Sequence, residues 1–585
     1  MEGCSEREHL SCERGRKRKH SRYSGTHPGN LALKKAKGGT RPRVLIVGGG
    51  PAGLVLAIEL GRRGVSCILF EEDSTTPTFP KANATTSRTL EHYRRLGFVN
   101  EVRVLGLPDD HPTDVSYHTR YSRYELARYR APTRREALRD RYRNPDMRWP
   151  TPEPILRAQQ MYIEPVMKRR AEQFEAVDLK FGWRVEKIQQ RDNRVYVSAI
   201  EATSGITAEF DGDYAVGCDG PRSIVRQTLG ISYEGKGAED RQFMGGRMLA
   251  TYLDAPALYE IGPNRPSWQY WMLNPERFGV VIAVDGRERF VFHSQLPRDV
   301  KGTLEYAEES LRLVVGRDFP HRIIDISEWT AGFTLVAEHY GSDRIFLAGD
   351  AAHLFTPTAG FGYNTAVDDV VNLGWKLAAV CNGWGGSGLL QSYETERKPI
   401  GHRNTSFARS IANFFRDLKL PDALEEDSAI GDAQRPEFGK ILEDFSRREF
   451  NAPGISLGAY YGGSPVIAIE PGEPPKDDPN IYFPTAQPGA RAPHLWLSEG
   501  LALFDCFGCD FTLLKLDPTM NTVDIENAAN ARGMPLSVVP LSNTRAQQLY
   551  EADLILIRPD QHIAWRGNHP PADPKSLINR VLGFE

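Results

Sequence analysis

The sequence predicts an α/β plus α+β protein. It reads as a Rossmann-type domain, an antiparallel sheet inserted into that domain, and a small α/β domain at the C-terminal end. Three observations predict this. Val44 to Asp73, VLIVGGGPAGLVLAIELGRRGVSCILFEED, reads strand, glycine turn, helix, strand, acid. Phe243 to about Leu335 breaks into short alternating or wholly apolar runs separated by turn residues, as antiparallel strands do. Residues 490–585 return to strands and helices in FTLLKLD, LSVVPLS and ADLILIRP.

The first strand, Val44 to Val47, is apolar and mostly β-branched, as a strand buried on both faces should be. Gly48, Gly50 and Gly53 then form G-x-G-x-x-G around Pro51 and Ala52. Gly48 permits the tight turn, Gly50 admits a pyrophosphate close to the backbone, and Gly53 lets helix and strand pack closely. The helix that follows offers free N–H groups and a partial positive charge to phosphate. A second apolar run, Cys67 to Phe70, ends in Glu71, Glu72 and Asp73, with Glu71 placed 23 residues after Gly48. That is the position of an acid on a ribose hydroxyl, and it argues against a 2′-phosphate there. FAD and NAD both satisfy the motif.

Two later segments repeat the pattern of a strand ending in a polar turn. YAVGCDGPRSIVRQTLGI ends its strand at Cys218-Asp219-Gly220 and runs into a helix. IFLAGDAAHLFTP ends its strand at Gly349-Asp350, and Pro357, Gly360, Gly362 and a long helix from about Asn364 follow. Aspartates at strand ends can accept from sugar hydroxyls. A glycine turn lets a flat ring lie on backbone N–H groups, and a helix N-terminus stabilises negative charge.

The chain has 585 residues, 40% hydrophobic and 25% charged, with a net charge of −3, as expected of a globular protein without a strong pull toward nucleic acid or membrane. No apolar run approaches the roughly 20 residues a membrane span requires, and the N-terminus does not read as a secretory signal, so the expected location is cytoplasmic. Seven thinly spread cysteines suggest a reducing compartment, and no metal site is expected. Cys506 and Cys509 form a C-x-x-C without a second pair, and read as small residues near a strand start. The expected boundaries are a disordered basic tail at 1–40, a nucleotide domain at 41–410 interleaved with the inserted sheet at about 231–338, a helical connection at 411–487, and the last domain at 488–585. The tail carries 10 Lys and Arg against 4 acids. The Arg- and Tyr-rich stretch Tyr117–Arg148 mixes acids with its bases and reads as a solvated connection rather than a nucleic-acid surface.

In combination and order, these motifs resemble the single-component FAD-dependent aromatic hydroxylases, in the branch of phenol hydroxylase and 2,4-dichlorophenol hydroxylase. KANATTSRTLEHYRRLGF and QQMYIEPVM are similar to two further family segments, and PGARAPHLWL resembles the start of that branch's thioredoxin-like C-terminal domain. The resemblance covers about residues 42–585 and assigns FAD to the first turn. It implies that Gly48, Gly50, Pro51, Ala52 and Gly53 hold the pyrophosphate and that Glu71 and Glu72 lie at the adenosine ribose. Arg88 and Gln160 would lie along the cofactor, Asp219 would serve FAD and, indirectly, NADPH, Asp350 would bind the ribityl chain and pyrophosphate region, and Pro357, Gly360, Gly362 and Asn364 would face the isoalloxazine.

The activity implied is hydroxylation of a phenolic or related aromatic compound with O₂ and NADPH, a transient co-substrate, through a flavin C4a-hydroperoxide. Relatives on the same frame carry out Baeyer–Villiger insertion or epoxidation on polycyclic substrates, and a flavin-binding scaffold is the reading from another class. The family's C-terminal domain often takes part in a dimer contact, so a homodimer is an open expectation. Thr356-Pro357 stands where the family usually has two prolines, Tyr363-Asn364 where Met-Asn is frequent, and Lys81 where an Arg is usual. Tyr270 and His293, in expected sheet strands, are the candidates for a catalytic side chain, and His353 reads as a packed structural histidine.

Overall fold

The computed structural model describes residues 42–140, 149–238 and 243–585. The basic tail therefore lies outside the described residues. The first layer is a six-stranded sheet in the order Gly341–Ser342, Ile345–Leu347, Tyr214–Gly217, Val44–Val47, Cys67–Glu71, Val177–Phe181. All neighbours are parallel except the first pair. Val44 to Val47 form a central strand and are buried throughout, which is why four consecutive apolar residues occur there. Helix α1 (Pro51–Gly61) packs against this sheet and against a later helix, Phe361–Cys381. A three-stranded antiparallel sheet within Trp183–Gly212 is appended.

The second layer is a seven-stranded sheet. Its order is Arg322–Ala331, Gly246–Asp254, Arg289–Gln295, Phe278–Ala283, Gln269–Leu273, Val115–His118, Glu125–Tyr129. The last two strands fall in or beside the stretch expected to be a solvated connection. They belong to the sheet because Val115 and Tyr117 are buried apolar positions that alternate along the first of them. That strand pairs in parallel with Gln269–Leu273. The arginines there are committed to acids: Arg128 to Asp114 and Glu125, Arg120 to Glu425. The rest of the stretch, 141–148, lies outside the described residues.

Register decides what each face of this sheet touches. Residues directly opposite one another point to the same side. Tyr117, Trp271, Val280, His293 and Ala250 are successive partners across five strands, so they share one face. Ser116, Tyr270, Val281, Phe292 and Thr251 share the other. The first face is covered by helix α2 (Gly388–Asp417) and helix α3 (Ala429–Phe450). Trp271 stacks on Phe415 of α2 at 4.7 Å between centroids, and Phe414 stacks on Phe445 of α3 at 3.9 Å.

The C-terminal domain carries a four-stranded sheet in the order Leu536–Pro540, Phe511–Lys515, Leu554–Ile557, Ile563–Gly567, with the first pair parallel and the others antiparallel. Helices Val523–Ala531, Thr544–Tyr550 and Pro574–Val581 connect or follow these strands. Buried charges fasten this domain to the nucleotide domain. Arg491 pairs with Glu91, while Arg558 joins Glu396 and Asp560. Cys506 and Cys509 lie just before the strand Phe511–Lys515, and the Cys509 carbonyl accepts from Arg63 just past the end of α1. The C-x-x-C is thus part of a domain joint.

Candidate cofactor and substrate site

The glycine turn is built as its spacing requires. Gly48 has φ +105°, and a Cβ there would lie 2.3 Å from the Cys218 carbonyl oxygen. A Cβ on Gly53 would lie 1.9 Å from the Gly48 oxygen. Gly50 is the opposite case, with no atom within 4 Å of an added Cβ. Its backbone therefore faces open space at the start of α1. No side chain caps that helix, and Pro51 occupies its first turn. The Ala52 and Gly53 N–H groups remain for an anion.

The Gly49 N–H donates to Glu71 Oε2 at 2.6 Å, and the Asp73 N–H donates to Oε1 at 3.0 Å. Glu71 is thereby fixed beside the turn, while Glu72 is exposed one residue further on. Gln160 opens the helix Gln160–Glu172, and its side-chain amide donates to Glu164. Burial pushes the Glu164 carboxyl up to about 7, with Lys81 opposing and Glu71 adding to the effect. Gln160, Glu164, Lys81 and Glu71 therefore share one corner. Arg88, expected along the cofactor, is held at the domain junction. Its guanidinium donates to Glu91, to the Gln561 side chain and to the Asp560 carbonyl. Glu91 one turn ahead and the C-terminal domain draw it into the domain junction.

Asp219 accepts from the Val225 N–H at 3.2 Å through Oδ2, while its Oδ1 is buried without a partner. Burial raises its carboxyl. Asp350 is enclosed by surrounding atoms, which raises its carboxyl by desolvation, yet solvent still reaches it, as befits a group lining a cleft. Tyr233 links the two regions: its hydroxyl donates to the Asp350 carbonyl at 2.5 Å and accepts from Arg226 at 2.6 Å, close to Asp219. An open glycine turn, an uncapped helix start and an orphaned carboxylate oxygen fit a dinucleotide.

Beyond Asp350, His353 is fully buried, with Nε2 2.6 Å from Asp369, which also receives Arg397. It is a structural histidine. Pro357 is exposed, and Ala359 and Gly360 follow with φ of +63° and +67°. Two consecutive left-handed residues need support, and Asn364 supplies it. Its amide donates to the Ala84 and Gly360 carbonyls, and its oxygen accepts from the Thr86 N–H and the Thr89 hydroxyl. The Asn364 side chain is therefore saturated within the protein, and only its backbone is left to face a ring. Gly362 has room around it, with Phe355 3.6 Å from an added Cβ. Tyr363 hydrogen-bonds Tyr93.

The two catalytic candidates separate by face. Tyr270 lies on the side away from α2 and α3, packs 4.8 Å from Tyr121, and accepts the Ser267 N–H at 2.8 Å. It is a core residue. His293 shares the helix-covered face with Trp271, sits edge-on to Trp329 at 5.5 Å, and leaves Nδ1 unpartnered. Burial lowers it to about 4, so it is neutral at physiological pH.

Residues 41–408 match the model of an FAD binding domain, and residues 485–584 match that of the C-terminal domain of aromatic-ring hydroxylases. The chain is 30% identical to an FAD-dependent monooxygenase, apdD, of Emericella nidulans, over 95% of this chain and 92% of that one. It is 28% identical to a phenol 2-monooxygenase of a Pseudomonas species, over 92% of each. It superposes on the rebeccamycin biosynthetic enzyme RebC with reduced flavin at a TM-score of 0.83 and 32% identity, covering 94% of this chain and 100% of that one.

Proposed function

We propose, for a chain that belongs to the FAD-binding aromatic-ring hydroxylase family, that it is an NADPH-dependent monooxygenase hydroxylating a phenolic or related aromatic compound. The observation that carries this reading is the strained loop Ala359–Gly360, pinned by Asn364 and by Glu449 of α3, whose preceding turn bonds Tyr117 on the sheet face shared with Trp271. Aromatic side chains wall that face, and apolar walls keep water from a reactive oxygen donor.

FAD, when bound and reduced, supplies the activation of O₂. The open turn at Gly50 and the N–H groups of α1 hold its pyrophosphate. Glu71, oriented by the Gly49 N–H, takes the adenosine ribose, and Gln160 lies nearby. Asp219 Oδ1 and the Asp350 carboxylate accept from cofactor hydroxyls, and Asp350 stands at the cleft where the ribityl chain would run. The backbone of Pro357–Gly362 meets the ring edge. The other G-x-G-x-x-G, Gly383 to Gly388, joins two helices, Phe361–Cys381 and α2, rather than a strand and a helix, which suits NADPH as a visiting reductant. We read the C-terminal domain as thioredoxin-like from its strand order and directions.

The test is NADPH oxidation by the yellow protein against a panel of phenols and fused-ring phenols, with H₂O₂ and product measured together. Stimulated oxidation with product equal to NADPH consumed supports the reading. Oxidation with no product from any ring, or ring expansion of a polycyclic ketone instead, overturns it.

A further inference from the structure

Helix α3 lies outside all the cofactor motifs, yet it places one charged residue against the loop that would meet the flavin. Glu449 is 4% exposed, and its Oε1 accepts the N–H of Ala359, one of the two left-handed residues, at 3.0 Å. Its Oε2 is buried without a partner. One turn earlier, Ser446 donates to the Tyr117 hydroxyl at 2.8 Å, so this side of α3 faces the aromatic sheet face. Arg157 approaches from the segment that bridges Leu156 to Thr85, next to the loop's anchor at Ala84 and Thr86. Its guanidinium lies over Trp268 at 3.8 Å and makes no side-chain hydrogen bond among the described residues.

Glu449 and Arg157 lie in each other's field without an ion pair. Burial pushes the carboxyl up to about 7 and the guanidinium down to about 10. A buried acid with a free oxygen is costly for stability alone, and the half-buried guanidinium beside it keeps donors open to a ligand. They suit a ligand that brings one acidic proton.

We propose that Glu449 and Arg157 form the polar end of the substrate pocket and recognise the acidic hydroxyl of a phenol. The phenol O–H bond breaks, the proton passes to Glu449 Oε2, and the electron pair stays on the phenol oxygen beside Arg157. The complex then carries a single negative charge, on the phenolate beside Arg157: above about pH 7 it has moved there from the Glu449 carboxylate, and below it, where Glu449 already holds a proton, the phenol's proton leaves to solvent; the phenolate is the better nucleophile toward an oxygen donor. This role presupposes the hydroxylase reading above.

The test uses the oxidised holoenzyme with 4-nitrophenol as probe, its phenolate band read at about 400 nm in difference spectra, for wild type, E449Q and R157M. FAD absorbance confirms that each variant is folded and loaded, and Gln keeps an acceptor for Ala359. In the wild type, the bound probe shows the phenolate band at pH 6, where Glu449 already holds a proton, and its affinity falls about tenfold as pH rises from 7 to about 8.5, because free probe and Glu449 have then both lost protons and the complex must take one back. E449Q keeps the band and loses that pH dependence. R157M loses the band and binds about tenfold more weakly. An absent band in wild type, a wild-type pH profile in E449Q, or wild-type ionisation in R157M overturns the proposal. A wild type that hydroxylates phenols while the variants match it overturns this pair alone, whereas a wild type that hydroxylates nothing overturns the parent reading.

Discussion

Gly50→Ala and Gly53→Ala add the same methyl three residues apart, and the structure assigns them opposite consequences. At Gly53 the methyl would lie 1.9 Å from the Gly48 oxygen. A carbon and a carbonyl oxygen approach no closer than about 3.3 Å, so turn and helix must part by roughly 1.4 Å. Overpacking of this kind costs about 1–3 kcal/mol, and the N–H groups of α1 move with it. Gly53→Ala should therefore lower both the stability of the apoprotein and its affinity for FAD. At Gly50 φ is −71° and nothing lies within 4 Å. Exchanging a glycine N-cap for alanine costs roughly 0.5–1 kcal/mol, and the reduced entropy of the unfolded chain offsets it by about 0.4–1 kcal/mol. Apoprotein stability should stay within about 0.5 kcal/mol. The methyl instead occupies the open side where the pyrophosphate would approach, and a steric cost of about 1.4 kcal/mol or more weakens FAD binding at least tenfold. Denaturant melts of the apoproteins and fluorescence titration with FAD separate the two effects. Gly50→Ala binding FAD like wild type, or Gly53→Ala melting like wild type, would refute the reasoning.

Asp219→Asn removes a carboxylate whose pKa burial raises. A raised acid binds its proton more tightly folded than unfolded, so its ionisation costs stability as pH rises above the unfolded value near 4. At pH 7 the Asn apoprotein should melt no lower than wild type while binding FAD more weakly, as calorimetry and titration will check. Glu91 is the reverse case. Arg491 and Arg88 outweigh burial and hold its carboxyl at about 2. Its stabilisation is present above pH 4.5 and is lost as pH falls toward 2. Glu91→Gln strands two buried arginines and should cost about 3–5 kcal/mol in chemical denaturation. Tyr270→Phe, on the face away from α2 and α3, should cost about 1 kcal/mol through the lost Ser267 contact and leave product coupling unchanged.

The parts of the site built as contiguous strand–turn units are legible in the sequence. Gly48 to Gly53, Asp219 and Asp350 all follow strands of one parallel run, and local pattern suffices to place them. What local pattern cannot carry is direction. Tyr270 and His293 look alike in sequence, and only pairing from strand to strand puts them on opposite faces. Arg88 stands at the start of a helix, as its segment predicts, but its side chain follows partners more than 400 residues away. Asn364 sits in the expected region, while its side chain is consumed in holding the backbone. The strands Val115–His118 and Glu125–Tyr129 are hidden by their arginines, whose acids come from distant segments such as Glu425. Glu449 lies about 100 residues past the Gly-Asp motif, on a helix with no motif of its own, and no signal in the sequence singles it out.

The central claim is oxygen transfer to a phenolic ring by an FAD enzyme. Its most direct test is turnover of the holoenzyme with NADPH and isotopically labelled O₂ on the phenol that most stimulates NADPH oxidation. The account predicts one labelled oxygen atom in the ring product, in equal amount to the NADPH consumed. Label confined to H₂O₂, or a product whose oxygen comes from water, would contradict it.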